Sequence, residues 1–534
     1  MVDIHYRWDL NDDRHDTLFY LGLFLSSSGP GCSGYEVLIV HDVGMKSHLI
    51  QLYPIVEKLL ENGHQVTTIF FSGGNIKHEN YTEIVVKNVF EKKVAELSKL
   101  FMDRGSEYAV INLIKFMKFS LEAWSEVLED SALMYSNTPE IQTMIQTGRK
   151  FDAVMTSYQQ HCLLAEIFQS SLISFSPAGP VPWLLSATGN HINLSLQPLL
   201  TSSFIEPMTF QQRLMNHLEN AVRQLASTYP ATKIFDARAN LMGLHDLSFE
   251  EILRKRFSVF LSNHHPVTHG AWPYLPNIIE VGGLTLKDPA PLPSHFQTFL
   301  DSADSVVLVS FGSTLQPSQM AQDKLDILFS VFRDLPEYSF IWKWDGKVRD
   351  VLVPANVLLS SWLPQQDLLA HRNTKTFITH GGLGGITEAI YHKVTLVGIP
   401  FGNDQISNLE RASRHGYCKL MLWEKLSVEA LKEAIRESVE SLTMQAAVER
   451  VHSVYTDREM KPVERAVWWI EYVCRHRGAD ILQPGLTEVA WYQYHHLDIL
   501  LFVTLMVVVM VTLLLFLCSL CCRCCWRGQK VKRD

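Results

Sequence analysis

The chain has 534 residues, which is enough for two domains of ordinary size with extensions at the ends. Hydrophobic residues make up 47% of the sequence, so a large core can form. The formal net charge of −9 argues against a nucleic-acid-binding protein, because such proteins carry clustered Lys and Arg on their surface.

Residues 1–34 are predicted to be a signal peptide of unusual composition. Leu18 to Leu25 is a short apolar core, and Ser-, Gly- and Pro-rich residues follow it to Gly34. Residues 1–16 are acidic on balance where a basic segment is expected, so either the natural start lies further inside or the segment is atypical. We expect cleavage between Ser26 and Gly34.

Residues 35–265 are predicted to form an N-terminal α/β domain. The apolar run Tyr35 to His41 predicts a buried strand, a single helix follows from Ser47 to Leu60, and Val66 to Phe71 predicts the next strand. This order is typical of a mononucleotide-type α/β unit. The region from Pro180 to about Leu261 is expected to be helical and irregular.

The two domains are predicted to join at Ser262 to Pro276, where Pro and Gly residues interrupt any regular element. Residues 272–455 then form a second domain. Strands are predicted at Val306 to Phe311, Ile341 to Trp344 and Val357 to Leu359.

The segment Phe377 to Asn408 concentrates residues suited to an anion site. A short apolar strand leads into His380, and a helix from about Ile386 to His392 turns its positive end towards the intervening turn. Four glycines in this turn can bring backbone N–H groups close to a ligand. They are Gly381, Gly382, Gly384 and Gly385. Glycine clustering alone is equally compatible with a tight turn, and neither G-x-G-x-x-G nor the P-loop pattern is present.

The whole segment resembles the signature of the UDP-glycosyltransferase family, which includes the animal UDP-glucuronosyltransferases. Upstream, Trp362 to Gln365 matches the family's W-x-P-Q, and Ser310 to Ser313 matches its S-x-G-S. The resemblance extends from Tyr35 to the C-terminal tail. Within the segment the matching elements share one register and are H-G-G, Glu388-Ala389, the Pro400 turn, Asp404-Gln405 and Asn408.

The resemblance implies the GT-B arrangement, in which two Rossmann-like domains face a cleft. The N-terminal domain would bind the acceptor, and the C-terminal domain would bind a UDP-sugar. It also implies which residues contact the donor diphosphate. They are Gly312, Ser313, His380 and Gly382, with Gly384 and Gly385 in the same turn. Gly384 departs from the pattern, because many relatives carry Asn there and so have a further side-chain donor.

The remaining donor contacts follow from the same resemblance. Trp362 would stack on the uracil, and Gln365 would lie beside the ribose. Glu388 would accept hydrogen bonds from the ribose hydroxyls. Asp404 and Gln405 would hold the hydroxyls of the transferred sugar.

His48 follows the first predicted strand, at the sheet edge where open α/β domains bind ligands. From position alone it is more often a cap or a surface residue. The resemblance makes it the general base that takes a proton from the acceptor hydroxyl.

In relatives an acidic residue stabilises the charged histidine, and here that position is Ser157. A serine can hydrogen-bond to an imidazole but cannot stabilise its positive charge as a carboxylate does. Asp152, five residues earlier, is expected to point elsewhere. The options are a weaker or substrate-assisted catalyst, another acid reaching in, or a binding protein that no longer transfers.

Residues 456–496 resemble the family's returning helices, which pack on the N-terminal domain. Residues 497–522 are predicted to span a membrane, because Ile499 to Cys522 carries no charge. The basic tail, residues 523–534, is then cytosolic, and the body is luminal. The final K-V-K-R-D resembles a dilysine signal for the endoplasmic reticulum; ordinary basicity next to a membrane span is the alternative. Asn80 and Asn193 would be glycosylation acceptors there.

The sequence therefore predicts a membrane-anchored transferase that moves glucose or glucuronic acid from a UDP-sugar to a small lipophilic acceptor, with inversion. We expect neither a metal nor a further cofactor. An assembly with the same or a related chain is compatible with the sequence. The alternative is a non-catalytic binder of UDP-sugars or lipophiles in the same fold, as the serine at position 157 would allow.

Overall fold

The computed structural model describes most of the chain from residue 34 onward. Several predictions lie outside the described residues: the signal peptide up to residue 33, the phosphate contact of Ser313 and the dilysine end. The described ranges are 34–42, 44–88, 135, 137–157, 162–180, 185, 188–190, 192–199, 202, 204–242, 244, 247–312, 317–346, 352–402, 404–483, 490–494 and 496–530.

Seven parallel strands form the first sheet, in the order β3-β2-β1-β4-β5-β6-β7. The central strands are buried on both faces, as the complete burial of Val37, Leu38, Ile39 and Val40 in β1 shows, whereas the edge strand β3 is only partly buried. The strands are β1 (Glu36–His41), β2 (Gln65–Phe70), β3 (Tyr81–Val85), β4 (Ala153–Thr156), β5 (Ser171–Ser176), β6 (Phe257–Ser262) and β7 (Ile278–Glu280).

Six parallel strands form the second sheet, in the order β10-β9-β8-β11-β12-β13. The two sheets are the cores of two Rossmann-like domains, which is the GT-B arrangement. The strands are β8 (Val306–Ser310), β9 (Ser339–Lys343), β10 (Val357–Ser360), β11 (Thr374–Thr379), β12 (Thr395–Gly398) and β13 (Cys418–Leu420).

Helices cover both faces of the sheets and complete the chain. Those before the second sheet are α1 (Lys46–Leu49), α2 (Tyr53–Glu61), α3 (Pro139–Gln146), α4 (Cys162–Ile167), α5 (Phe210–Leu241), α6 (Phe249–Arg256), α7 (Pro266–His269) and α8 (Ser294–Asp301). Those after it begins are α9 (Gln322–Arg333), α10 (Gln365–Ala370), α11 (Leu383–Tyr391), α12 (Gln405–His415), α13 (Val428–Glu440), α14 (Leu442–Thr456), α15 (Pro462–His476), α16 (Trp491–Tyr494) and α17 (Leu497–Lys530).

The helix predicted from Ser47 to Leu60 is wrong as a single element, because α1 ends at Leu49 and α2 starts at Tyr53. Pro54 explains the break. It has no N–H to donate to the carbonyl of Ile50, and its ring would clash with that carbonyl in a continuous helix. The break leaves His48 on a short helical turn beside the sheet edge.

The domain boundary between residues 265 and 272 also needs correction. Strand β7 pairs with β6 and is therefore the last strand of the first sheet, so the chain leaves that sheet after Glu280. Strand β6 itself lies partly in the region expected to be helical and irregular. Its six residues are all buried, and pairing with β5 decides their conformation.

Helix α15 returns the chain to the first domain. Its buried residues, including Ile470 and Val473, join the core formed by α2 and the first sheet. Glu471 on this helix accepts hydrogen bonds from Asn62 Nδ2 at 2.7 Å and from His64 Nε2 at 3.0 Å. Helix α14 of the second domain is thus followed by α15, which belongs to the core of the first domain.

Among the described residues, one helix is long and apolar enough to cross a membrane. It covers Leu497–Cys521, 25 residues with a mean hydropathy of 3.1 and none of its most apolar window buried. Because none of that window is buried, it differs from the core helix of a soluble domain, which is mostly buried. Burial in a lipid bilayer would account for an apolar surface of this length.

We predict that Glu471→Gln weakens the docking of α15 in a pH-dependent way. Burial raises the pKa of the Glu471 carboxyl, but the hydrogen bonds from His64 and Asn62 outweigh burial and bring the pKa below its usual value. The charged carboxylate therefore stabilises the fold above the unfolded-state pKa, and this contribution is lost as the pH falls through the lowered pKa.

The expected loss is about 1–2 kcal/mol in the free energy of unfolding at pH 7, shrinking towards zero in acid. Denaturant unfolding of the detergent-solubilised protein between pH 7 and pH 3 measures it. Glu464→Gln, at an exposed position of the same helix, is the control. A loss independent of pH would contradict the assignment.

Candidate active site

His380 lies in a narrow space at the end of β11. Its ring sits between Gly312, which follows β8 by two residues, and Gly382. A Cβ on Gly312 would lie 2.8 Å from the ring Cε1, and one on Gly382 would lie 2.6 Å from the ring Nε2. Both distances are shorter than real Cβ contacts, so the ring can occupy this place only between two glycines.

The His380 Nδ1 atom is buried and has no hydrogen-bond partner among the described residues. Burial lowers the pKa of His380 to about 4, and the nearby Lys343 charge acts in the same direction. The ring is therefore neutral near pH 7. A buried polar atom without a protein partner calls for a bound water, ion or ligand that satisfies it.

Helix α11 begins directly at this ring, three residues earlier than the sequence indicated. Gly382 is its N-cap and makes no side-chain cap hydrogen bond. The first N–H groups of a helix have no intrahelical partner, so those that follow Gly382 can bind an anion. A Cβ on Gly384 would have no atom within 4 Å, whereas one on Gly385 would lie 3.2 Å from the Phe377 ring.

Gln365 and Glu388 meet beside the glycine turn. The Gln365 Nε2 donates to Glu388 Oε2 at 2.5 Å, and the same nitrogen lies 3.7 Å from an ideal Cβ on Gly385. Burial raises the pKa of Glu388 to about 7, with the Gln365 hydrogen bond acting against it. Trp362, at the start of the same loop, is 64% exposed, and its ring is accessible to a flat ligand.

Asp404 and Gln405 begin α12 at the next strand end. Asp404 Oδ2 accepts from Asn408 Nδ2 at 2.8 Å, and that nitrogen also donates to the Gly381 carbonyl at 3.1 Å. Burial raises the pKa of Asp404 to about 6. The Gln405 Oε1 accepts from the backbone N–H of Phe401 and of Gly402. This structural use of Gln405 could not be seen in the sequence.

His48 lies half-buried on α1 at the edge of the first sheet, and desolvation lowers its pKa to about 4. Ser157 lies at the same edge, where its N–H donates to the Val40 carbonyl at 3.3 Å. The Ser157 Oγ is buried and has no hydrogen-bond partner among the described residues, so it does not bind His48. Asp152 Oδ2 accepts from the Glu36 N–H at 2.8 Å, at the opposite end of β1, and therefore points elsewhere.

Two charged residues that sequence reasoning missed lie at these edges. Asp42 directly follows β1 and is completely buried, which places a carboxylate in the same loop as His48. Lys343 is the last residue of β9, and its Nζ donates to the Gly312 carbonyl at 2.7 Å. Asp42 follows the end of β1 and Lys343 ends β9. Because open α/β domains bind ligands at the carboxyl ends of their strands, this position is the sequence signal that could have indicated both residues. Within the described ranges, no group of three His, Cys, Asp or Glu residues could hold a metal.

A pocket with mostly apolar walls lies between the domains. Arg411 of α12 lines the pocket and forms an ion pair with Glu206, which accepts a hydrogen bond from Arg411 Nη2 at 2.8 Å. This pair links the first domain to the helix that carries Asp404. The pocket walls include Leu185, Leu199, Phe204, Trp272 and Asn408.

Comparison with known proteins identifies the family. The family model described as "UDP-glucoronosyl and UDP-glucosyl transferase" matches residues 36–533. The chain belongs to this UDP-glycosyltransferase family. Membership implies a UDP-sugar as the donor and supports glycosyltransferase activity.

Two relatives illustrate the range of the family. The UDP-glycosyltransferase UGT5 of Dactylopius coccus is 30% identical over 509 residues, covering 92% of this chain and 93% of the relative. The UDP-glucuronosyltransferase 2B13 of Oryctolagus cuniculus is 29% identical over 478 residues, covering 86% of this chain and 88% of the relative.

Solved structures show the same fold at low sequence identity. The glycotransferase of kitacinnamycin matches with a TM-score of 0.55 and 17% identity, over 82% of this chain and 99% of that chain. Os79 from O. sativa, solved in complex with UDP, matches with a TM-score of 0.54 and 14% identity, over 82% of this chain and 100% of that chain. The GT-B fold expected from the sequence is confirmed.

We predict opposite effects on UDP binding from two substitutions in the glycine turn. Gly382→Ala forces the His380 ring out of its space, and the dissociation constant for UDP should rise about tenfold or more. Gly384→Asn places an amide donor in open space at the same helix end, and the dissociation constant should fall several-fold.

Titration calorimetry on the detergent-solubilised protein measures both constants, and thermal unfolding shows that each variant is folded. Equal weakening by both substitutions would mean that the turn tolerates no side chain at either position. The steric distinction drawn between the two glycines would then be wrong.

Proposed function

We propose that the chain transfers glucose or glucuronic acid from a UDP-sugar to the hydroxyl of a small lipophilic acceptor, with inversion at the anomeric carbon. The observation that carries this proposal is the continuous arrangement at the edge of the second sheet. The exposed Trp362 ring, the Gln365–Glu388 pair and the His380 turn follow one another there. In this order they would contact the base, the ribose and the diphosphate of an extended nucleotide.

The diphosphate would lie against the N-terminus of α11. The backbone N–H groups after Gly382 and the neutral His380 ring would donate to its oxygens. As the sugar leaves, negative charge builds up on the UDP oxygen, and fixed donors stabilise that charge without reorganising. Asp404 and Gln405 would contact the sugar from the next strand end.

His48 would act on the acceptor from the first domain. Its imidazole would take the hydroxyl proton while the acceptor oxygen bonds to the anomeric carbon and the bond to the UDP oxygen breaks. Attack from the side opposite to UDP inverts the configuration. The low pKa of His48 in the free protein keeps the ring neutral, which a base requires.

The acceptor is proposed to be lipophilic because the interdomain pocket has apolar walls. Its Phe204 and Leu199 come from the first domain, and Asn408 of α12 closes it from the second. Asn408 also holds Asp404, so the pocket adjoins the residues assigned to the sugar. Apolar residues together with a few polar groups are the lining expected for an apolar molecule that carries a hydroxyl.

The membrane location belongs to the same proposal. Helix α17 would anchor the protein in the endoplasmic reticulum membrane as a single span, with the catalytic body in the lumen and the basic tail in the cytosol. A lipophilic acceptor partitions into that membrane, so the anchor would keep the site close to its substrate.

We predict that His48→Ala abolishes transfer but keeps UDP binding. The expected loss in kcat is a factor of about 10²–10⁴, because only the proton-accepting group is removed. A UDP-release assay with UDP-glucose and UDP-glucuronate over a set of phenols and sterols measures it. In the wild type, kcat/KM should be constant near neutral pH and fall as the pH drops towards about 4, where the imidazole becomes protonated. Equal UDP release by both proteins would contradict the role.

A non-catalytic binder is the second candidate, and the isolated Ser157 hydroxyl favours it. A carboxylate at this position would stabilise the positively charged imidazole and raise the pKa of His48. We predict that Ser157→Asp increases kcat about tenfold or more and moves the acidic limb of the pH profile towards neutral pH.

Ser157→Asn is the matched control, because it has nearly the same shape as Asp without the charge. If Ser157→Asp and Ser157→Asn behave alike in rate and in pH profile, position 157 does not act on His48. If the wild type releases no UDP and Ser157→Asp does, loss of the acid explains a chain that only binds.

A further inference from the structure

Lys343 lies in direct contact with the structure that holds His380. It ends β9, next to β8 in the second sheet, and its Nζ donates to the Gly312 carbonyl at 2.7 Å. Gly312 in turn packs against the His380 ring. The ammonium group is therefore held at the carboxyl edge of the sheet, beside the uncapped end of α11.

No carboxylate among the described residues lies within ion-pair distance of the Lys343 ammonium group. The nearest acid in sequence, Asp345, accepts instead from the Ser318 hydroxyl at 2.6 Å. Burial lowers the pKa of Lys343, and the Asp345 charge opposes that shift only in part. Partly buried cations are normally paired, so a lysine held here without a counter-ion indicates an anionic ligand.

A second lysine reaches the same place from the first domain. Lys46 is the exposed first residue of α1, two residues before His48. Its neighbour Met45 packs against the hydrophobic core of the second domain, so this loop touches the opposite side of the cleft. Burial is the main cause that lowers the pKa of Lys343, and the like charge of Lys46 on this facing loop acts in the same direction.

We propose that Lys343 and Lys46 form a two-cation clamp that binds the donor diphosphate from both sides of the cleft, a proposal that rests on the proposed transfer from a UDP-sugar. Two like charges facing each other repel, and an anion between them converts the repulsion into two attractions. Lys343 would contact the diphosphate from the second domain. Lys46 would close on it from the first domain and bring His48 towards the sugar.

The clamp makes the approach of the two domains depend on the anion. Without a diphosphate, repulsion between the lysines opposes closure; with it, each lysine gains a charge-assisted contact. His48 follows Lys46 by two residues on the same short helix. His48 would therefore be positioned to take the acceptor proton beside the anomeric carbon only when the diphosphate is bound.

The test compares UDP, UMP and uridine binding by titration calorimetry on the full-length, detergent-solubilised protein. Lys343→Met should weaken UDP binding about 10- to 100-fold and leave uridine binding nearly unchanged, because only the phosphate contact is lost. Lys343→Arg should restore most of the affinity for UDP. Lys375→Met is the matched control. This lysine also donates to a backbone carbonyl, that of Arg372 at 2.8 Å, but at the amino end of β11.

The same titrations test the contribution of Lys46. Because this side chain is exposed, its substitution is not expected to prevent folding. Lys46→Met should weaken UDP, UDP-glucose and UDP-glucuronate by similar factors of about 3 to 10. A loss confined to UDP-glucuronate would place Lys46 on the sugar carboxylate and overturn its assignment to the diphosphate.

Failure of the clamp can be told apart from failure of the proposed function. If Lys343→Met weakens uridine as much as UDP, the lysine only supports the Gly312 loop and the clamp is wrong. If Lys343→Met binds UDP like the wild type, the clamp is also wrong while the donor site stands. If the wild type binds neither UDP nor uridine, the proposed function itself is wrong.

Discussion

The fit of one imidazole ring between two glycines is the constraint on which the candidate donor site depends. The His380 ring occupies a space that a single methyl group on Gly312 or Gly382 would fill. Because the ring is there, the ends of β8 and β11 and the start of α11 meet at one point. Backbone donors, a neutral ring nitrogen and the Lys343 ammonium group are thus held within one small region. Such preorganised donors stabilise a developing negative charge better than water does.

The second requirement is that the two domains keep their cleft aligned, and three contacts achieve this from different directions. Met45 packs on the core of the second domain beside His48. The Glu206–Arg411 ion pair ties the first domain to α12, which carries Asp404. On the far side, α15 returns from the second domain and enters the core of the first. The proposed base, His48, and the candidate donor-binding residues lie on separate domains, so their alignment rests on these contacts.

Much of the fold could be predicted from sequence because the information is local. Buried parallel strands are recognisable as short apolar runs. The glycine turn after β11 is recognisable from its composition and from its match to the family. Pairing between distant segments carries no such local signal. Strand β7 joins the first sheet through its contacts with β6, although it lies beyond the proline-rich segment that suggested a boundary.

The candidate site divides in the same way. Trp362, His380 and Glu388 were expected at the cleft because each belongs to a motif. Lys343 belongs to no recognised motif, and only the folded chain brings it to the Gly312 carbonyl. The sequence also does not indicate that Gln405 Oε1 accepts from the Phe401 N–H and so stabilises that turn. Nor does it indicate that the Ser157 hydroxyl is buried without a partner among the described residues.

The most direct test of the central claim is a structure of the full-length protein determined with UDP bound. In that structure we expect the uracil to lie flat on Trp362 and a phosphate oxygen to lie within hydrogen-bond distance of the His380 Nδ1 at the start of α11. A UDP molecule bound elsewhere, with the space between Gly312 and Gly382 unchanged and no phosphate near it, would contradict the account.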